Sequence, residues 1–338
     1  MSSLTGASAV DHVPDPSGHS PLGGDRASTG RLGDRLFGGA ATGAGLLVIA
    51  IVTLIAVFLL SQAVPALSRN GANFLTSTEW NVAGDHPRFG IANLLWTTVA
   101  SSVIAMLIAV PLGVGVALFV TQYAPRWLSR PAASLVDLLA AVPSIVYGLW
   151  GIKVLGPHVQ HLQHWLQGPL GWIPLLSSDD VSISSSGTIF LASIVLAIMV
   201  LPIVTALARE VFAQTPLAHK EAALALGATR WEMIRTAVLP FGRPGVISAA
   251  MLGLGRALGE TIAVTIIVST LAQGSPWSFS LFDGGETFAS RIANNAAEFD
   301  SPAKAGAFIA AGLVLFVLTF VVNAIASVVI NRRKAFSE

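Results

Sequence analysis

The chain has 338 residues, of which 53% are hydrophobic and only 11% charged, and its mean hydropathy is +0.71. Soluble globular domains carry about a quarter charged residues, so this composition excludes a soluble protein and makes lipid the solvent of much of its surface. A formal charge of +1, spread over sparse basic residues, argues against a nucleic-acid binder, and the absence of cysteine excludes disulfides, thiolate metal sites and a cysteine nucleophile.

Residues 1–36 open the chain with a Gly-, Ser-, Pro- and Asp-rich stretch that has no apolar periodicity and reads as a disordered tail, too polar for a cleavable signal peptide. Six stretches then reach the roughly 20 apolar residues that a bilayer core demands. They are Phe37 to Leu60, Ile91 to Val120, Leu135 to Leu155, Thr188 to Ala208, Gly245 to Leu271 and Ala305 to Ile330. All are apolar all round rather than alternating with period two, so they are expected to be helices and not barrel strands. The fold class is therefore all-α integral membrane, with a first transmembrane helix at 37–60, a core of five more over 91–330, and a short tail at 331–338. Pro111, Pro143 and Pro202 should kink three of the spans.

Basic residues near span ends set the orientation. Thirteen of the nineteen Lys and Arg fall on one side: Arg26, Arg31, Arg35, Arg126, Arg130, Arg209, Lys220, Arg230, Arg235, Arg243, Arg332, Arg333 and Lys334. That side is expected to be cytoplasmic, with both termini inside. The loops Ser61 to Gly90, Gly156 to Gly187 and Ala272 to Pro302 then face outward.

The loop Arg209 to Pro244 is too polar to span, yet it reads as capped helix. Thr215-Pro216 reads as an N-cap followed by proline at the first helical position, and Leu217 to Leu226 are good helix formers. Gly227 can take the left-handed conformation that closes a helix, and Thr229 to Glu232 is a capping box that should open a second short helix ending before Pro240. Ala222, Ala225, Leu226, Trp231 and Ile234 give this elbow an apolar side outside the bilayer, which reads as a docking surface or as an unpartnered amphipathic hairpin.

Glu221-Ala222-Ala223, then Gly227, then Leu239-Pro240 resembles the EAA loop of membrane permeases in ATP-binding-cassette (ABC) importers. Ala237 departs from it, since the family usually has isoleucine there. The run Leu252-Gly253-Leu254-Gly255-Arg256-Ala257-Leu258-Gly259-Glu260-Thr261 resembles the phosphate-specific permeases of the PstC type, as do Val142 to Trp150 and Ile292-Ala293-Asn294. The resemblance covers about Ile91 to Ile330. It implies a type I ABC importer permease fold and a heterodimer with a second, homologous permease subunit. It also implies a cytoplasmic ATP-binding-cassette ATPase dimer and an extracytoplasmic phosphate-binding protein, with inorganic phosphate as cargo. Coupling to the ATPase would fall to Glu221, Ala222, Ala223, Gly227, Leu239 and Pro240. The chain itself is expected to be no enzyme, because none of its four lysines, which follow Ile, His, Ala and Arg, lies in a phosphate-binding Gly-x4-Gly-Lys-Ser/Thr loop.

Arg256 and Glu260 lie 11 and 15 residues into the fifth expected span, roughly 16 and 22 Å deep in continuous helix. Ions at that depth cost about 2.5–3.5 kcal/mol on insertion scales, so they should face a pathway or each other. At i and i+4 they can pair on one helix face, either as a structural link between helices or as an arginine for a passing oxyanion with a glutamate that holds it. Gly255 and Gly259 have the spacing that lets another helix approach. Asp137 reads as a hydrated edge residue and Lys153 as a snorkelling one. His158, His161 and His164 read as a polar face, so no metal and no cofactor is expected. Thr287 to Glu298 is expected to form a short outer helix. The expected function is a permease subunit of an ATP-driven phosphate importer in the plasma membrane. The alternatives are a permease for another oxyanion such as sulfate or molybdate, a proton-coupled transporter using Glu260, and an inert membrane anchor.

Overall fold

The computed structural model describes residues 30–84, 86–177, 187–271, 277–299 and 301–334. The expected tails lie outside these as far as residue 29 and from residue 335. Among the described residues, helices dominate, with one two-residue antiparallel ladder of β1 (Trp80–Asn81) on β2 (Arg88–Phe89). Five helices are long and apolar enough to cross a membrane, and a bent pair makes up to six. The chain is an all-α, multi-pass membrane protein.

It divides into two units, Met1–Ile55 and Ala56–Glu338. The first holds the beginning of α1 (Gly30–Arg69), a helix apolar and long enough to cross a membrane. The second holds everything else. Its core is α2 (Ala92–Leu118) against α6 (Ile189–Ala213), with Ala105, Ala109, Val195, Val200 and Val204 almost wholly buried. Small residues on α2 let the two backbones come close, which substitutes for the missing hydrophobic drive between helices in lipid.

Two expected spans are broken, and each break has a chemical cause. The third, Leu135 to Leu155, is not one helix. α3 (Arg126–Ala140) stops, and α4 (Ser144–Trp150) departs at 92°, continuing through a π turn at Gly151–Leu155 into α5 (Gly156–Leu170). Pro143 has no N–H for the carbonyl of Leu139 four residues earlier and pushes its predecessor out of the α region. The Tyr147 hydroxyl donates to that carbonyl instead, at 2.9 Å.

The fifth span, Gly245 to Leu271, also differs. The elbow's second helix, α8 (Arg230–Met233), does not end before Pro240 but runs through a π turn at Ile234–Val238 into α9 (Leu239–Leu258). The wide turn, in which Leu239 N–H reaches back to Ile234 O, makes room for the Pro240 ring in the first turn of α9. The helix then unwinds over Gly259–Thr261 before the short α10 (Ile262–Ile267).

α9 runs antiparallel to α6. Gly242 lies against Phe212 at one end, and further along a Cβ on Gly253 would stand 2.6 Å from Val200 Cγ1. Gly253→Val should therefore push α9 off α6 and destabilise the bundle by about 1–3 kcal/mol, read as a lowered unfolding midpoint of the purified chain in detergent; an unchanged midpoint would contradict this packing.

The ends of α6 are pinned. Gln163 Nε2 donates to Thr188 Oγ1 at 2.6 Å, and Arg209 meets Asp137 at 3.4 Å. The stretch from Thr188 to Arg209 spans about 32 Å of helix, close to a bilayer core. Beyond the Thr188 end, the expected loop between the fifth and sixth spans is partly a buried wedge. Residues 280–288 pass between α2 and α6, with Phe282 and Phe288 at 0% exposure. Ile189 N–H donates to Asp283 O at 3.0 Å and Gly285 N–H to Ser269 O at 2.9 Å, so the buried backbone is satisfied. The expected outer helix appears as α11 (Phe288–Asn294), capped by Thr287, followed by a 3-10 turn at Ala296–Glu298 and the long α12 (Pro302–Lys334).

Candidate coupling elbow and intramembrane arginine

α7 (Leu217–Ala225) begins the elbow. Its N-cap position is Pro216 rather than Thr215, whose hydroxyl is buried without a partner among the described residues. The far end is a complete Schellman closure. Ala228 N–H donates to Ala223 O at 3.2 Å and Gly227 N–H to Leu224 O at 3.0 Å, with Gly227 at φ +85°. Thr229 then caps α8, its Oγ1 accepting from Glu232 N–H at 3.3 Å while Glu232 Oε2 accepts from Thr229 N–H at 2.8 Å. One glycine thus joins two independently capped helices at a fixed angle.

The elbow has an inner and an outer side. Met233, Ile234 and Val238 are buried with Phe212, Ala208 and Ala117, where Ala223 and Leu239 also pack. Ile234 therefore belongs to the core and not, as its spacing suggests, to the apolar outer side. That side is carried by Leu226, which is 90% exposed, with Trp231, Leu217 and Leu224. Beside it lies a groove of about 500 Å3 lined by His219, Ala222, Ala223, Thr236, Ala237, Pro240 and Phe241. Glu221 is exposed and makes no hydrogen bond or ion pair among the described residues. All six residues of the expected coupling set lie on this one hairpin and its root. Ala237, the departure from the family pattern, lines the groove.

In the bundle, the expected Arg256–Glu260 pair does not form. With the helix ended at Leu258, the rotation that would bring i and i+4 to one face is lost. Glu260, 9% exposed, turns its Oε1 to the Ala263 N–H at 3.1 Å and so satisfies the first turn of α10. A carboxylate at a helix start also meets the positive end of the peptide dipoles. Arg256 is exposed and has neither hydrogen bond nor ion pair among the described residues. Continuing the α9–α6 register one turn past Gly253 sets Arg256 level with about Ala197, between the pinned ends of α6. It is thus an unpaired guanidinium near mid-thickness. Gly255 has nothing within 4 Å, which leaves that face open to another helix, whereas Gly259 meets only its own helix.

Sequence reasoning missed three polar links. Asp137 is not free but bound to Arg209, 72 residues away. Glu286, buried at 6% exposure, forms an ion pair with Arg291, whose guanidinium lies 5.1 Å from the Trp80 ring centroid. Asp283 accepts a hydrogen bond from the Ser278 hydroxyl. The Ser278–Asp283 and Glu286–Arg291 links each span five residues, whereas the Asp137–Arg209 link has no local signal at all. His158, His161 and His164 are exposed on α5, and no cluster of metal-ligating side chains occurs among the described residues.

Residues 109–335 match the family described as "Binding-protein-dependent transport system inner membrane component". The chain is 55% identical over 297 residues to "Phosphate transport system permease protein PstC 2" of Mycobacterium tuberculosis, covering 88% of this chain and 91% of that protein. It is 55% identical over 301 residues to "Phosphate transport system permease protein PstC" of Mycobacterium leprae, with 89% and 94% covered. With the protein of that name in Mesorhizobium japonicum the identity is 38% over 302 residues, with 89% and 91% covered. An elbow outside the apolar spans, a multi-pass bundle and these matches agree: the chain belongs to the family of binding-protein-dependent transport system inner membrane components.

Proposed function

We propose that the chain is the permease subunit of an ATP-driven phosphate importer in the plasma membrane, forming half of the pathway beside a second, homologous permease. The observation that carries the coupling is the Gly227 elbow: two capped helices that present Leu226 and Trp231 to solvent and root, without a break, in α9. An ATPase seated on that outer side would move α9 as a lever, and α9 carries Arg256 in its last turn, just before the unwound Gly259–Thr261. The relatives' names supply the substrate class, and the chemistry agrees with it, because a planar guanidinium matches two phosphate oxygens at once.

In this reading Arg256 meets the oxyanion and Glu260 fixes the start of α10 beside it. The thirteen basic residues and both termini face the cytoplasm, where the ATPase dimer docks, and the Thr188 end of the bundle receives the extracytoplasmic binding protein. Glu260 is already engaged by a backbone N–H, which favours this role over that of a proton carrier.

Reconstitution separates the classes. The chain alone in vesicles with a proton gradient should move no phosphate. Uptake should appear only when the second permease, the ATPase, the binding protein and ATP are supplied. Phosphate uptake by the chain alone would replace this function with a proton-coupled one.

A further inference from the structure

The second half of α3, from Leu135, was expected to begin a span, and its geometry rules that out. It meets α4 at 92°, so the two cannot both follow the membrane normal. The crossing does not need α3, since the stretch from Ser144 to Gln163 covers about 29 Å of helix and Gln163 is bonded at the Thr188 end of α6. Asp137 on α3 is bonded to Arg209 at the opposite end. α3 therefore lies at the membrane surface on the arginine-rich side.

Its composition suits that place. Arg126, Arg130, Ser134 and Asp137 share one arc of the helix, and Leu128, Leu135, Leu138 and Leu139 share the other, with Trp127 at the boundary. Most of the leucine arc is left uncovered by this chain: Leu128 is half-buried, but Leu135 is 61% and Leu138 65% exposed, and Trp127 is 76% exposed. Arg126 and Arg130 are exposed and make no hydrogen bond or ion pair among the described residues, while Asp137, the one acid of α3, is occupied by Arg209. The local charge is positive and unsatisfied at headgroup depth.

We propose that α3 is an in-plane anchor that binds anionic phospholipid headgroups through Arg126 and Arg130. Guanidinium groups take phosphate oxygens in pairs, tryptophan settles at the headgroup boundary, and the leucine arc enters the acyl layer. Charge complementarity selects this occupant over a second protein, which would have to cover both an arginine edge and a broad leucine face. The orientation proposed above serves only to name the cytoplasmic leaflet; symmetric vesicles test the contact itself, and a failure here would leave the transport reading intact.

The test uses the full chain assembled in its complex, in vesicles containing about 30 mol% of either phosphatidylglycerol or phosphatidylcholine with brominated chains. The Trp127 signal is the fluorescence difference between wild type and Trp127→Phe. Brominated phosphatidylglycerol should quench it about threefold more strongly than brominated phosphatidylcholine. Arg126→Gln with Arg130→Gln should abolish that preference, whereas Lys at both positions should keep most of it. Equal quenching by the two lipids in the wild type, absence of quenching by either, or a preference that survives the double Gln change would each overturn the proposal. If the double Gln complex does not assemble, the wild-type comparison decides alone.

Discussion

A complex carrying Gly227→Val should assemble, retain ATP hydrolysis and import almost no phosphate. Gly227 sits at φ +85° with nothing within 4 Å of where a Cβ would stand, so the substitution meets no steric neighbour and acts through the backbone alone. A β-branched residue disfavours the left-handed region strongly, and the chain can relieve that strain only by leaving the Schellman closure. The angle between α7 and α8 then changes, and Leu226, one residue before the hinge, moves with it. The inner side should survive, because Ile234, Val238 and Phe212 hold it independently of the hinge. Gly227→Asn makes the argument graded: asparagine tolerates positive φ and should keep a substantial share of uptake, on the order of half. Uptake per assembled complex, measured beside ATPase activity, checks this. Wild-type uptake by Gly227→Val would mean that the elbow transmits nothing.

What was legible in the sequence was short in range. Gly227 and the Thr229–Glu232 box declare themselves within four residues, because capping chemistry depends on one side chain reaching its own next turn. The apolar spans were legible because lipid imposes a length. Where the reading failed, a remote partner decided the outcome. Hydropathy joined α3 to α4, since leucines and alanines continue through the bend, but hydropathy does not see that Pro143 withholds a proton and that Tyr147 replaces it. The wedge at 280–288 reads as loop from its glycines and carboxylates. It is buried because Ser269, Ile189 and Arg291, all outside it, satisfy its polar groups. The i+4 pairing of Arg256 and Glu260 assumed a helix that continues. Three glycines, at 253, 255 and 259, had already lowered the cost of ending it.

That separation changes what mutation of the site should do. Had the two charges paired, removing both would restore much of what removing one destroys. In the structure Arg256 has no counter-ion among the described residues and Glu260 caps α10, so their effects should add. Arg256→Ala should leave assembly intact, because no buried partner is stranded, and lower phosphate uptake by about a hundredfold, the loss expected for a charge-assisted contact of roughly 3 kcal/mol. Arg256→Lys keeps the charge and loses the two-pronged fit, and should fall between. Glu260→Gln retains an oxygen for the Ala263 N–H and should transport nearly normally. Glu260→Ala removes that acceptor and should cost about 1 kcal/mol of local stability, as the loss of a helix cap does. Uptake normalised to assembled complex, for the four single variants and the double Ala, tests the set. Recovery of uptake in the double Ala variant relative to Arg256→Ala would show that the two residues pair in some state of the transport cycle, and would reduce Arg256 from a contact for the oxyanion to a structural link.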